Sequence, residues 1–357
     1  MCANVCSNLF LLRTVISSKL ALDTLIDKAM RAVFKLRQHN LRDNVLTSIK
    51  LFKALVSPII RYGCEVWAPF ETNGISPENL LGLCEKTPIE KINNKFCKYL
   101  LGSHKYTSNL AVKGEVGMPG LLTDCMYHSI KYWLRFVNNN MDHESLVYKS
   151  YQENFSTFSS SNAENWCLRI RNILSTLELD NVWQNQGVDA NFSSETNLLS
   201  ILKEKINCQY ATNWEHTISM STGKLRTYKL FKKSFKLENY LLCCKFNDRK
   251  FFSRLRTSSH QLKIETGRHK RPLIPSEARF CPTCEDAVED ELHFLLHCKL
   301  YSSLRNSLFD SLNFVNFNSY SEKDKFIYLM SYNDGDPEIA NTIVTFIKSA
   351  FNLRFPT

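Results

Sequence analysis

Residues 280–301 read FCPTCEDAVEDELHFLLHCKLY, and the order of their metal-binding side chains decides what this part of the chain can become. Cys281, Cys284, His293 and Cys298 follow a Cys-x2-Cys-x8-His-x4-Cys spacing. Two thiolates so close can grip one ion from a tight turn, and residues 285–289 leave room for the chain to reverse. Glu289, Asp290 and Glu291 suit the positive end of a helix that starts there and carries His293 and the last ligand. Three sulfurs and one imidazole match a closed, tetrahedral zinc site, which holds structure and leaves no position for a substrate. One structural Zn2+ is expected; its binding energy, about 10–16 kcal/mol in small peptides, would fold a segment too short to fold alone. The spacing leaves the fourth ligand open. His297 lies four residues after His293, on the same helix face, and competes with Cys298.

Immediately upstream the chain is strongly basic. Residues 224–271 hold 15 Lys or Arg against Glu238, Asp248 and Glu265, a balance of +12, so the rest of a chain with net charge +10 sums to −2. Charge concentrated in this way implies a polyanionic partner, and RNA or DNA is the commonest. Lys232, Lys233, Lys236, Arg249, Lys250, Arg254, Arg256, Lys270 and Arg271 are the expected phosphate contacts. Tyr228, Phe231, Phe235, Tyr240, Phe246, Phe251 and Phe252 interleave with them. Most of these rings are expected in the core, since Phe231 and Phe235 fall at helical spacing, and an exposed one would stack on a base. No individual base reader is evident.

Elsewhere the pattern is helical. An apolar fraction of 44% is ample for real cores, and only 11 Gly and 10 Pro argue for long helices over many tight turns. Leu41, Val45, Ile49, Phe52 and Val56 recur at helical spacing, and Pro58 is expected to close that run. Residues 57–69 then read as extended or irregular with a bend at Gly63, and residues 71–85 as a surface loop. Thr87-Pro88-Ile89-Glu90 suits a helix start with a reciprocal cap; Ile92, Phe96, Tyr99 and Leu100 follow, and Gly102 ends the helix. After a turn at residues 117–120, Leu122, Met126, Ile130, Trp133 and Val137 mark another helix. The Ser- and Asn-rich residues 154–162 are the best candidate boundary between domains. Residues 163–222 form a second helical group whose Trp166, Trp183 and Trp214 read as core aromatics. The chain finishes with helices at 322–331 and from Asp336-Pro337-Glu338 onward, the latter carrying Ile339, Ile343, Phe346, Ile347 and Ala350.

Thirteen cysteines, an odd number scattered along the chain, do not look like a disulfide framework and suit a reducing compartment. The first 20 residues lack a basic start and a long apolar run, so no secretory signal is expected. No stretch reaches about 18 uninterrupted apolar residues, so no membrane partner is expected. Phosphate-binding glycine loops, nucleophile elbows and dinucleotide fingerprints are absent.

Residues 281–298, with Val288-Glu289-Asp290-Glu291-x-His293-Phe294 inside them, resemble the C-terminal zinc knuckle of non-LTR (LINE-type, jockey-like) retrotransposon reverse transcriptases. Residues 51–67, LFKALVSPIIRYGCEVW, resemble the thumb-region signature of that family, and Phe96-Cys97-Lys98-Tyr99-Leu100-Leu101-Gly102 and Asn109-Leu110-Ala111-Val112-x-Gly114-Glu115-Val116-Gly117 resemble the segments after it. The resemblance favours Cys298 over His297 as fourth ligand. It implies a mainly α fold: a thumb-like helical bundle (1–153), a helical linker (154–223), a basic nucleic-acid-contacting segment (224–275), a small zinc knuckle (276–303) and a C-terminal helix pair (304–357). It does not carry polymerase activity over. The palm of such enzymes needs an Asp-Asp pair, and this sequence contains no Asp-Asp dipeptide. Only 59 residues follow Cys298, too few for a restriction-like endonuclease. A non-catalytic, intracellular, nuclear nucleic-acid-binding protein is expected. The alternatives are a protein-interaction module, a subunit that complements a separate reverse transcriptase chain, or a reading frame left by a degraded element.

Overall fold

The structure, a computed structural model, describes residues 22–138, 141–161, 164–187, 194–312, 317–332 and 336–356. The opening residues 1–20, with Cys2 and Cys6, and the end of the 154–162 stretch lie outside them. The mainly α class expected from the sequence is what the chain adopts: among the described residues the one β-type pairing is a bridge between Phe280 and Val288. Helices assemble into two compact units. The first holds the described residues of 22–39, 49–93 and 119–214; the second holds those of 40–48, 94–118 and 215–356.

In the first unit the helix Cys64–Glu71 packs along Leu121–Val137. Leu122, Met126, Ile130 and Trp133 of the expected stripe are buried, and Val137 at its end is half-buried. Trp133 stacks on Trp183 with ring centroids 5.4 Å apart, and the indole of Trp166 donates to the Glu65 carbonyl at 2.8 Å. Each large side chain so buried contributes about 1.5–3 kcal/mol, which is why this helix pair organises the unit.

Several local expectations change. Pro58 does not close the helix before it. A wide turn with i→i+5 bonding covers Phe52–Val56, and the helix Ser57–Arg61 restarts with Pro58 in its first turn. There a missing N–H is harmless, and the widened turn relieves the clash a proline makes with the carbonyl four residues back. The region expected to be irregular is therefore helical on both sides of Gly63, whose φ of 65° makes the one bend. Within the expected loop at 71–85, Leu80–Lys86 is a helix burying Leu80, Leu81 and Cys84. Residues 154–161 continue the helix Leu146–Ser161 inside the first unit, where Ser156, Thr157 and Ser159 are exposed.

Thr87 and Glu90 do not make the reciprocal cap. Thr87 Oγ1 donates to the Cys84 carbonyl at 2.7 Å, while the buried Glu90 carboxylate turns to accept from the Leu121 N–H and, at 3.3 Å, from Asn93. Burial pushes that carboxyl up to about 7.

The second unit is organised by Phe246–Arg256 against Pro337–Arg354. The latter starts as expected: the Asp336 carboxylate accepts from Glu338 N at 2.8 Å and Ile339 N at 3.3 Å, with Pro337 in the first turn. Ile339, Ile343, Phe346, Ile347 and Ala350 are all buried. Gly102, at φ 62°, ends Glu90–Leu101 as expected, and Ser103 N closes on the Lys98 carbonyl at 3.0 Å. A further helix, Ser302–Ser311, was not expected; its apolar residues are too sparse to announce it.

Candidate metal centre and basic surface

Around Cys281 the backbone makes a short hairpin. Cys281 N donates to the Ala287 carbonyl at 2.8 Å and Glu289 N to the Arg279 carbonyl at 2.9 Å. The turn between them is tight enough to put Glu285 at φ 63°, a left-handed conformation costly for a side chain with a Cβ. It curls the Cys281–Cys284 stretch about a single point. Asp290 then caps a helical turn, its carboxylate accepting from His293 N at 2.8 Å. From His293 to His297 this turn has i→i+5 bonding, closed by Cys298 N on the His293 carbonyl at 2.9 Å. In a regular α-helix residues five apart point to different sides; the wider turn brings His293 and Cys298 round to one side.

Cys281, Cys284, His293 and Cys298 each place a ligand atom within 4.8 Å of all the others, a group that can hold a metal ion. Cys298 Sγ lies 3.8 Å from Cys281 Sγ and 3.9 Å from Cys284 Sγ. Two sulfurs each about 2.3 Å from a tetrahedral ion stand roughly 3.8 Å apart, so the spacing suits a zinc-sized centre and is far too long for a disulfide. His293 Nε2 is buried and, among the described residues, accepts or donates no hydrogen bond, an orphaned polar atom that a ligand role would explain. Burial, with Cys281 and Cys284 adding to it, pushes the Cys298 thiol up to about 12, so a thiolate there needs a cation beside it. Burial also holds the His293 imidazole toward its neutral, ligating form. His297 is not in the group: its side chain is 40% exposed and points to Glu322 at 3.6 Å.

The acidic residues before His293 serve other ends than the helix dipole alone. Glu291 is fully buried and accepts from His260 at 3.0 Å and from Arg226 at 2.5 Å. Burial would raise its carboxyl, but His260 and Arg226 overcome this and hold it down at about 2. Glu289 pairs with Arg354 at 2.7 Å and accepts from Lys263 N at 2.8 Å. Arg305 donates to the Leu295 and Cys298 carbonyls at 2.9 and 2.6 Å, and Phe294 packs on Phe351 with centroids 4.7 Å apart. The 280–301 segment is thus docked on the last helix by a ring pair and an ion pair.

The nine expected phosphate contacts divide into two groups. Lys232, Arg249 and Arg256 are buried, a correction to their reading as surface cations. Arg256 grips the buried Glu115 with Nε and Nη2, both at 2.8 Å, and reaches Glu238 at 2.8 Å. Lys232 pairs with Glu238 and donates to the Lys236 carbonyl at 2.8 Å. Tyr240, Tyr228 and Tyr332 donate their hydroxyls to these same carboxylates at 2.7, 3.0 and 2.9 Å. The result is a balanced internal cluster: two cations, two carboxylates and three phenols. Burial alone would raise the Glu115 carboxyl; the Arg256 guanidinium wins and holds it below its ordinary value. Arg249 spends its donors on the carbonyls of Cys244, Leu100 and Arg42.

The other six lie at the surface. Lys233, Lys236, Lys270 and Arg271 are exposed; Lys250 and Arg254 are half-buried. Among the described residues no carboxylate pairs with Lys233, Lys250, Arg254, Lys270 or Arg271, and Lys233 donates only to the Lys229 carbonyl, at 2.6 Å.

No family model, curated protein or solved structure matches this chain.

Lys250 and Arg254 share a cavity of about 630 Å³ in the second unit with residues the sequence reading did not single out: His104, Tyr106, Lys224 and His269. Lys224 is one more cation of the basic stretch. His104-Lys105-Tyr106 lies more than a hundred residues upstream, and nothing in its local pattern announces the meeting. Of the seven interleaved aromatics, Tyr228, Phe231, Tyr240, Phe246 and Phe252 are buried, as core residues should be; Phe235 and Phe251 are half-buried. Among the described residues no helix is long and apolar enough to cross a membrane.

Proposed function

We propose that this chain is a non-catalytic nucleic-acid-binding protein whose second unit is held together in part by a structural zinc ion. The observation that carries the reading is the set of surface cations, Lys233, Lys250, Arg254, Lys270 and Arg271, that no carboxylate of the described residues compensates. A segment that matches its buried Lys232 and Arg256 with carboxylates and Arg249 with carbonyls, yet leaves these surface cations unmatched, is organised to meet a polyanion. The likeness of residues 281–298 and 51–67 to parts of non-LTR reverse transcriptases points the same way and suggests RNA or DNA in the nucleus as the setting.

Zinc would be held by Cys281, Cys284, His293 and Cys298; bound there it supplies cross-linking energy and no open coordination position. Three contacts around the group support this reading. Arg305 satisfies the carbonyls beside Cys298, Lys299 N points at Cys284 Sγ at 3.5 Å, and Phe294 anchors the turn.

Two measurements test the reading. Elemental analysis of the purified chain should find one zinc per molecule, lost in a Cys281→Ser/Cys284→Ser variant; no metal in either removes the structural-zinc part. Binding to a mixed-sequence oligonucleotide should weaken roughly a few hundredfold between about 50 and 200 mM salt, as release of several counterions requires. An affinity indifferent to salt would refute phosphate contact.

A further inference from the structure

The Arg254 cavity has more in it than charge. Its floor is a row of stacked rings: Phe251 on Phe351 at 6.0 Å between centroids, and Phe351 on Phe355 at 6.3 Å. At its rim Tyr106 is 70% exposed and stands nearly parallel to His104. Lys105 lies over the Tyr106 ring, 4.8 Å from its centroid.

The rim is pinned. Ser259 Oγ accepts from His104 N at 3.1 Å and bonds Thr107 Oγ1 at 2.7 Å, and Lys98 Nζ donates to the Lys105 carbonyl at 2.8 Å. Among the described residues Arg254 is held by one bond, Nε to the Gly102 carbonyl at 2.8 Å, which leaves its two terminal nitrogens to a ligand. Lys224 and Lys250 likewise meet no carboxylate among the described residues.

We propose that this cavity receives unpaired nucleotides of a single-stranded polynucleotide, with phosphates on Lys224, Lys250 and Arg254 and a base against the Tyr106 ring. The proposal rests on the nucleic-acid reading above and sharpens it. A volume of about 630 Å³ is within the range of small-ligand pockets, roughly 300–1,000 Å³. Flat rings beside unpaired cations are how proteins hold single strands, because every base offers a π-face. A duplex cannot use the cavity: its bases are already stacked inside a convex rod, so it meets only the rim charges. An acidic protein segment could use the cations but would leave the exposed ring and the aromatic floor without a role.

The test is fluorescence anisotropy at one salt concentration with five probes of equal length: single-stranded RNA, single-stranded DNA, the DNA duplex, an abasic single strand and poly-glutamate. Tyr106→Ala and Arg254→Ala are compared with the wild type, each checked for an unchanged melting curve. Because Tyr106 is exposed, its variant should fold. At least one single strand should bind about tenfold tighter than duplex, abasic strand or poly-glutamate. Tyr106→Ala should erase that advantage, and Arg254→Ala should weaken every probe. The better of the two single strands names the sugar. If duplex or abasic strand binds as well as the single strands and Tyr106→Ala changes nothing, the cavity proposal fails while general nucleic-acid binding stands. If poly-glutamate binds as well, or if no nucleic acid binds, both readings fail.

Discussion

Arg254 and Arg256 stand two residues apart on one helix and live in opposite environments. Arg256 is 1% exposed, wrapped by Glu115, Glu238 and the Met330 carbonyl. Arg254 opens into the cavity with one backbone partner. Two residues along a helix is about 200° around it, so the basic run is split by the helix itself. Arg249, Phe252, Ser253 and Arg256 form the inward stripe; Lys250 and Arg254 form the outward one. A cation's meaning in this segment is set by which stripe it joins. Of the inward cations, Arg256 balances carboxylates and Arg249 ties down backbone carbonyls, and both hold the second unit; outward cations are left for a partner.

The sharpest way to break this division is Arg256→Met. Removing one partner from a buried ion cluster leaves its carboxylates desolvated and unmatched, a loss of about 3–5 kcal/mol. Denaturant unfolding should show it, and adding Glu115→Gln should recover part, since the amide no longer demands a countercharge. A loss below about 1 kcal/mol would mean that the cluster contributes no more than a surface pair.

The acid limb of the stability curve offers a second, smaller test. Glu115 sits below its ordinary value near 4.5 because Arg256 outweighs burial. A carboxyl depressed in the folded state contributes stability that is complete above its unfolded value and is lost as pH falls through the folded one. The wild type should therefore weaken as pH drops below about 4.5. In Arg256→Met burial is opposed by Lys232 and Tyr240 without the guanidinium, so the depression and the acid-side loss of stability should shrink. Equal slopes in the two proteins would deny the pairing its electrostatic role.

How much of this was legible in the sequence follows from the range of the signals. The metal group was readable because all four ligands lie within 18 residues and thiols at that spacing have few other uses. The choice between His297 and Cys298 was not, because it depends on one turn widening to i→i+5 bonding, which no residue there demands. The Asp336-Pro337 start was local and correct. Pro58 misled for the opposite reason: a proline ends a helix unless the turn before it opens, and that opening is set by packing. Burial of Arg256 was half-legible. Its position four residues after Phe252 places it on an inward face, but its partner Glu115 lies 141 residues away and inside a run that reads as ordinary helix. The assembly of 94–118 with 215–356 is a contact between distant segments of similar helical character, and a pass along the chain has no means of pairing them.

Arg254→Ala should move stability by no more than about 1 kcal/mol, because a half-buried cation with one carbonyl partner contributes little to folding. Its effect belongs in binding, as a weaker affinity at every salt concentration. An unfolding midpoint shifted as far as that of Arg256→Met would erase the distinction between the two stripes.

The finest comparison uses neighbours in sequence. Lys232 is 3% exposed and paired with Glu238; Lys233 is exposed and, among the described residues, its ammonium bonds only the Lys229 carbonyl. Lys233→Ala should leave stability within about 0.5 kcal/mol, as surface substitutions do. If it neutralises one phosphate, its loss should lower the salt slope of binding by about one counterion and weaken all sequences alike. Lys232→Met should do the reverse: a clear loss of stability from the unmatched Glu238, with the salt slope of the folded protein unchanged. Were Lys232→Met to flatten the salt slope while leaving the fold intact, Lys232 would have to leave its carboxylate to meet the ligand. The inward cluster would then be part of the binding surface, and the division between inward and outward cations would be wrong.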